Sequence, residues 1–391
     1  MYQMKTSLKL LILAVIAASA TLSAKPSIKL IRSGIVCDSL VDATSPSSMA
    51  IAPDGSYLLC FQNRGDCGPG AFTYITRSKD HGKTWSKPET FVTPEDDYCG
   101  ALGSLMNIPG RTDIMLALKS TIRHETISRN PYEFARKRKN RIDLFTTTDG
   151  ITLTPLATLK QPKDSLVSPM GSLTQLANGD IILSAYIYRF GHPADPEGTY
   201  GCGWYRSTDG GKTWGDFEVV FKDKISNGVG IDYAFTESAF AVHDDGTITG
   251  FVRTDRKDPR RQFMVVSKDN GKTWTDPVDA GRLIVYFPLM AKLADKQGFL
   301  MVGGWRQAYR NCVSMLYSKD GYDFELIGQA AYQPDNKPIP MNSATGGVQA
   351  MVPGPKKHQY YVVFYTHDPK LPGHDKLRIE GNMFEFVPDK K

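Results

Sequence analysis

The chain alternates short apolar runs with turns rich in Gly, Asp and Asn, and it does so six times. One phrase recurs: a strand, a tight turn, then a second strand. Its copies begin near residues 47, 103, 171, 237, 289 and 346. In the third copy, Gly171-Ser172-Leu173-Thr174-Gln175 leads to the turn Ala177-Asn178-Gly179. Ile181-Ile182-Leu183-Ser184-Ala185-Tyr186 follows. Short strands at regular spacing, bounded by such turns, predict antiparallel sheet.

A second pattern interleaves with the first. Ser78-Lys79-Asp80-His81-Gly82-Lys83-Thr84-Trp85 returns as Ser207-Thr208-Asp209-Gly210-Gly211-Lys212-Thr213-Trp214. It returns again as Ser267-Lys268-Asp269-Asn270-Gly271-Lys272-Thr273-Trp274. Two degenerate copies keep the Ser/Thr-x-Asp core at Asp149 and Asp320. Successive aspartates are 69, 60, 60 and 51 residues apart. A repeat of this length marks a supersecondary unit stacked on its neighbours. The octet reads as a turn: Asp accepts from backbone N–H groups further on, and Gly supplies a positive φ. Thr re-enters a strand, and Trp offers a large apolar surface between layers.

Six phrases predict an all-β fold, a six-bladed β-propeller with four-stranded antiparallel blades. The blades are expected over 45–94, 100–162, 166–224, 228–281 and 284–334, with the sixth starting near 341. Residues 28–36 are placed to close blade six. Residues 25–391 then form one domain, because no blade buries both its faces alone.

Export follows from the first 24 residues. Lys5 and Lys9 precede an apolar run over 10–17, and Ala18-Ser19-Ala20 offers a small-residue cleavage site. This is the pattern of a cleaved signal peptide and implies a periplasmic or secreted protein. No other stretch is long enough to predict a membrane span. The formal charge is +6, or +4 once Lys5 and Lys9 are set aside. That mild excess suits an anionic glycan and argues against nucleic acid. The basic run Arg136-Lys137-Arg138-Lys139, in an insertion over 121–140, reads as a rim loop facing water or as a basic lip. Six cysteines fit no disulfide framework or metal pattern. A Cys67–Cys99 bridge and buried free thiols are both open readings.

Candidate chemistry lies where second strands end. Arg64, Arg189, Arg253 and Arg306 share that phase, with Tyr365 and His367 in blade six. Arginine forks hold planar carboxylates bidentately, or brace a neighbouring blade.

The octet resembles the Asp-box of the sialidase (neuraminidase) superfamily, over nearly the whole mature chain. The resemblance implies the six-bladed propeller and assigns roles. Phe235-Thr236-Glu237-Ser238 … Phe251-Val252-Arg253 is similar to the family's segment with a Glu opening one inner strand and an Arg ending the next. Glu237 would polarise the nucleophile, and Arg253 would grip the substrate carboxylate. Arg310, eight residues before Ser318, resembles another arginine of the family's triad, and Arg306 competes for that role. Arg64-Gly65-Asp66-Cys67-Gly68-Pro69-Gly70 resembles the loop of the acid/base Asp, which makes Asp66 the candidate; an Asp before Gly also caps turns. Arg64 is the further substrate-binding candidate.

The sequence departs from the family at two places. Ser45-Pro46-Ser47 stands where an Arg is expected, and Ala344-Thr345 where the nucleophilic Tyr is expected. Tyr233 and Tyr286 are the tyrosines placed to reach inward from other strands. The expected activity is that of an exo-glycosidase removing a terminal acidic, sialic-acid-like sugar from glycans. Two alternatives stay open. One is a propeller glycosidase that attacks a uronic acid or deoxysugar directly with water. The other is a non-catalytic glycan-binding propeller. No cofactor and no metal are expected, and the chain is expected to be a monomer.

Overall fold

The computed structural model describes residues 25–38, 46–63, 70–95, 98–122, 140–162, 165–189, 200–222, 225–226, 230–231, 235–254, 261–281, 285–307, 310–332, 335–338, 350–367 and 377–389. Six four-stranded antiparallel sheets account for nearly all of them. Blade one orders Pro46–Ile51, Tyr57–Gln62, Thr73–Ser78 and Glu89–Val92 from the axis outward. Blade two has Tyr98–Asn107, Ile114–Ile122, Asn140–Thr147 and Thr154–Thr158. Blade three has Ser165–Gln175, Ile181–Arg189, Tyr200–Ser207 and Glu218–Lys222. Blade four has Phe235–Val242, Ile248–Thr254, Phe263–Ser267 and Val278–Asp279. Blade five has Val285–Lys292, Phe299–Gln307, Arg310–Ser318 and Glu325–Gln329. The six-bladed propeller expected from the repeat is therefore the fold.

Blade six is closed by the start of the described chain. Ala350–Pro353, Gln359–His367 and Leu377–Val387 come from the C-terminal end, and Ser27–Cys37 is the outermost strand. It pairs antiparallel from Ser27↔Val387 to Cys37↔Ile379. One boundary differs from expectation. Gly230–Ile231 does not join blade four but pairs with Ile225–Ser226 as a separate hairpin. The four places of blade four are already filled.

The hydrophobic core is divided among the six joints between blades. Strand alternation does the dividing. In Tyr57–Gln62, Tyr57, Leu59 and Phe61 pack toward blade six with Val363 and Met383. Leu58 and Cys60 pack toward blade two with Leu105 and Leu116. All six residues of that strand are buried, and Tyr57 to Phe61 form a continuous apolar run. Cys37, Cys60 and Cys202 are buried. Burial pushes the Cys60 thiol pKa well above its usual value, which keeps it protonated and inert. The Cys67–Cys99 reading lies outside what is described.

Each Asp-box is a closed set of local bonds. Asp209 Oδ1 accepts from Lys212 N at 3.0 Å and Thr213 N at 2.9 Å, and Thr213 Oγ1 donates to Oδ2 at 2.6 Å. Ser207 Oγ accepts from Gly211 N at 2.8 Å and donates to Asp209 at 2.8 Å. Asp80 and Asp269 repeat this set. Asp149 and Asp320 keep a shortened version.

The turn is also the joint to the preceding blade. Arg32 of blade six donates to His81 O in blade one, and Arg77 of blade one donates to Asp149 O in blade two. Arg111 of blade two reaches Gly210 O in blade three at 3.1 Å. Arg206 of blade three reaches Asn270 O and Gly271 O in blade four at 3.1 and 3.3 Å. From blade four, the His243 ring packs on Phe299 and Tyr322 of blade five. Backbones come close here. A Cβ on Gly271 would stand 2.6 Å from Trp204, and Gly271 has φ +79°.

These turns carry a pH signature. All five aspartates are held below the usual carboxylate range. In Asp209 and Asp269 the threonine hydroxyl bond is the largest cause, and in Asp149 it is the Ile151 N–H. In Asp80 and Asp320 burial pulls upward and the hydrogen bonds outweigh it. A depressed folded pKa gives stability that is complete above the unfolded value of about 3.9 and is lost as pH falls through the folded value. The melting temperature is therefore expected to be insensitive to these groups from pH 7 to 5 and to fall below about pH 4. Calorimetry across that range checks it. A loss of Asp-box stability beginning above pH 5 would contradict the bonding described.

Candidate functional site

The two ends of the propeller differ in kind. Within each of blades one to five the hairpin joining the first two strands and the Asp-box lie at one end. In blade four this is direct: Asn270 N donates to Gly246 O at 3.3 Å. The other end, where inner strands begin and second strands finish, is where the candidate arginines and Glu237 fall.

Glu237 and Arg253 meet there. Glu237 is the third residue of Phe235–Val242, and Arg253 is the last but one of Ile248–Thr254. Arg253 Nη1 donates to Glu237 Oε1 at 2.7 Å. Glu237 is 5% exposed, on a strand buried from Phe235 to Ala241. A carboxylate so buried requires an opposite charge and hydrogen bonds. The contact depends on a bulge. The ladder runs Thr236↔Arg253 and then Ser238↔Val252, so Glu237 is left out of register. Its φ is +49°, in the left-handed region that a non-glycine residue rarely adopts. Residues held there at a cost of about 1–3 kcal/mol are kept where surrounding structure fixes them, commonly at functional sites.

The second oxygen is held by the next blade. Phe287 N donates to Glu237 Oε2 at 2.8 Å. Phe287 belongs to the inner strand Val285–Lys292 of blade five, and its φ is +47°. That strand is also bulged, between Tyr286↔Gly304 and Leu289↔Val302. The carboxylate thus joins two blades through one charged and one neutral donor.

Other candidates are placed to different degrees. Arg306 and Arg310 flank the tip of one hairpin in blade five, with Arg306↔Asn311 and Gln307↔Arg310 in register. Their strands share the Glu237 end, and their side chains lie outside what is described. Arg189 ends its strand in blade three at the same end. Arg64, Asp66, Tyr233 and Ala344-Thr345 lie outside the described residues, as does the side chain of Tyr286. The base of the loop carrying Arg64 and Asp66 is pinned by Asn63. Its Nδ2 donates to Gly70 O at 3.1 Å, and its Oδ1 accepts from Phe72 N at 2.7 Å. Lys119 adds a cation at the same end of blade two, donating to Ser168 Oγ in blade three at 2.8 Å.

A cavity of about 220 Å³ runs along the axis, lined from the six blades by Met49, Met106, Thr174, Phe240, Met290 and Met351 among others. Pro288, next to Phe287, also borders it. Among the described residues no cluster of three or more His, Cys, Asp or Glu is arranged to hold a metal ion. None of their helices is long and apolar enough to cross a membrane.

Sequence reasoning missed two of these contacts. The Lys119–Ser168 bond spans two blades and has no short motif. The Phe287 N–H has no side-chain signature, although Pro288 was a usable sign. Proline inside a central strand demands a bulge, and this one turns the preceding N–H out of the ladder.

No protein-family model matches the chain, and no curated protein matches it. Solved structures do. A protein of unknown function from Dyadobacter fermentans superposes with a TM-score of 0.67 at 17% identity, over 93% of this chain and all of its own. Trypanosoma rangeli sialidase, in complex with the inhibitor DANA, gives 0.61 at 14% identity, over 94% of this chain and 60% of its own. The NanB sialidase of Streptococcus pneumoniae gives 0.58 at 12% identity, over 93% of this chain and 70% of its own. At such identities the likeness is one of fold: this chain has the six-bladed propeller that these sialidases contain.

Proposed function

We propose that the protein is an exported glycoside hydrolase of the sialidase type, acting outside the cytoplasm on glycans and removing a terminal acidic sugar. The observation that carries this reading is the Glu237–Arg253 pair: a buried carboxylate on a left-handed bulge, bonded at 2.7 Å to an arginine at the mouth of the axis. A purely structural ion pair needs no strained backbone to form. The sialidase-type fold of the solved structures supports the same reading.

Arg253, held by Glu237, receives the sugar carboxylate together with Arg310 or Arg306, and Arg64 is a further candidate for that role. Glu237 polarises the attacking hydroxyl, of a tyrosine or of water, a neutral group that an anionic substrate does not repel, and accepts its proton. As that oxygen bonds to the anomeric carbon the glycosidic C–O bond breaks, and Asp66 donates a proton to the leaving oxygen. Where the attacker is water its oxygen stays on the product sugar; where it is a tyrosine, water then displaces it from the sugar carbon, giving a proton to Asp66 while Glu237 returns the first proton to the tyrosine.

The test is hydrolysis of a fluorogenic sialic acid glycoside by the purified mature chain, beside Glu237→Gln and Arg253→Ala. Turnover by the parent and its loss in both variants is the expected result. A folded parent with no turnover overturns the sialic acid reading, and glycosides of uronic acids and deoxysugars then identify another hydrolase or leave a binding protein.

A further inference from the structure

Glu237 and Phe287 are the same position in consecutive blades. Counting back from the pair that closes each inner hairpin, Val242↔Ile248 in blade four and Lys292↔Phe299 in blade five, each lies five residues upstream. Both sit on a bulge, and both have a left-handed φ, +49° and +47°. A phenylalanine is a poor occupant of that region, where glycine is at ease. Pro288 contributes no N–H to the ladder, so the bulge costs blade five little pairing.

From these observations we infer that Phe287 is a positioning residue, whose left-handed backbone aims its N–H at Glu237 Oε2 and fixes the carboxylate against the axis. The inference rests on the reading of Glu237 as the catalytic carboxylate, and it assigns the work to the peptide group, not to the ring. Arg253 holds Oε1 of Glu237 at 2.7 Å. The Phe287 N–H holds Oε2 at 2.8 Å from the facing blade. A carboxylate held at both oxygens is fixed in one orientation, which is what preorganisation of a polarising group requires. It also makes the site depend on the joint between blades four and five.

Backbone and ring are separated by two substitutions. Phe287→Gly keeps the N–H and is content at positive φ. Phe287→Val keeps an apolar side chain but resists that conformation. Turnover of the sialic acid glycoside is expected to stay within about threefold of the parent in Phe287→Gly and to drop about thirtyfold in Phe287→Val, with the loss in kcat rather than KM. A readout independent of activity accompanies this. In the amide proton NMR spectrum, the residue 287 N–H is expected downfield in the parent and in Phe287→Gly. It is expected to move upfield in Phe287→Val and in Glu237→Gln.

A folded Phe287→Gly protein that loses turnover as fully as the valine variant overturns the inference, because the ring would then be what matters. A residue 287 amide that does not respond to Glu237→Gln overturns it as well. A parent without turnover but with the expected amide shifts defeats the sialidase reading while leaving the Glu237–Phe287 contact established. Should Phe287→Val fail to fold, Phe287→Gly and the amide response to Glu237→Gln still decide the matter.

Discussion

Removing residues 25–37 is expected to abolish cooperative folding. The strand Ser27–Cys37 is the outer quarter of blade six and pairs along its length with Leu377–Val387. It serves two joints. Val36 and Cys37 are buried between blades six and one, and Ile28 and Leu30 pack on the cluster between five and six. Full burial of one such side chain stabilises by about 1.5–3 kcal/mol, so two whole and two partial burials contribute about 5 kcal/mol before any ladder bond is counted. A whole domain is stable by only about 5–15 kcal/mol. The loss also turns the long strand Leu377–Val387 into an open edge, a template for aggregation.

The expected result is a truncated protein that elutes as aggregate and melts without a cooperative transition. Arg32→Ala is the graded form of the experiment. It removes the bond to His81 O, worth about 1.5–3 kcal/mol for a charged donor, together with the guanidinium over the Tyr361 ring, and should lower the melting temperature by about 2–4 °C. Lys25→Ala, which breaks an exposed pair with Glu325, should change nothing measurable. A truncated chain that melts at the parent temperature would show that blade six does not need its outer strand.

The second large effect belongs to Glu237 and Arg253. Their side chains are 7% and 16% exposed. Removing either partner leaves the other buried without its opposite charge, at a cost of about 3–5 kcal/mol. Glu237→Ala and Arg253→Ala should therefore each destabilise strongly, and the double variant should lose much less than the sum. Chemical denaturation of the four proteins measures this directly. Additive losses would mean that the pair is not an energetic unit. Glu237→Gln is the informative variant for chemistry, because it keeps the shape and removes the charge. It should lower kcat on the order of 10²–10⁴-fold, the range for a positioned proton-transfer group. Arg253→Ala should in addition weaken binding of a sugar that carries a carboxylate.

The fold was legible because its information is local. An Asp followed by Gly and Thr builds the same turn wherever it stands, and Asp80, Asp209 and Asp269 do so with the same bonds. The closing role of 28–36 was legible because five blades had four strands each and the sixth lacked one. That Glu237 and Arg253 stand on successive strands was legible for a related reason, since a hairpin of fixed length sets residues sixteen apart side by side, but their ion pair was not. Contacts across a joint were not. Phe287 donates through its peptide, which any residue except proline could do, so its identity carried no message. Gly230–Ile231 was misplaced because its strand pairing is two residues long, below what a pattern can specify. Asp66 and Arg64 rest on their likeness to a loop, and Asn63 shows only where that loop is anchored.

The joints at the Asp-box end have a consequence for how such a ring tolerates change. In four of them the acceptor is a peptide carbonyl, at His81, Asp149, Gly210 and Asn270 with Gly271. No substitution at those residues deletes a carbonyl. The donors are side chains, and they come from an outermost strand, a third strand and an inner hairpin in different blades. Inheritance thus guards one half of each clasp unconditionally and leaves the other half exchangeable. A lineage can lose an arginine in one strand and regain the clasp from another, so blades can diverge almost beyond recognition while the circle they form stays shut.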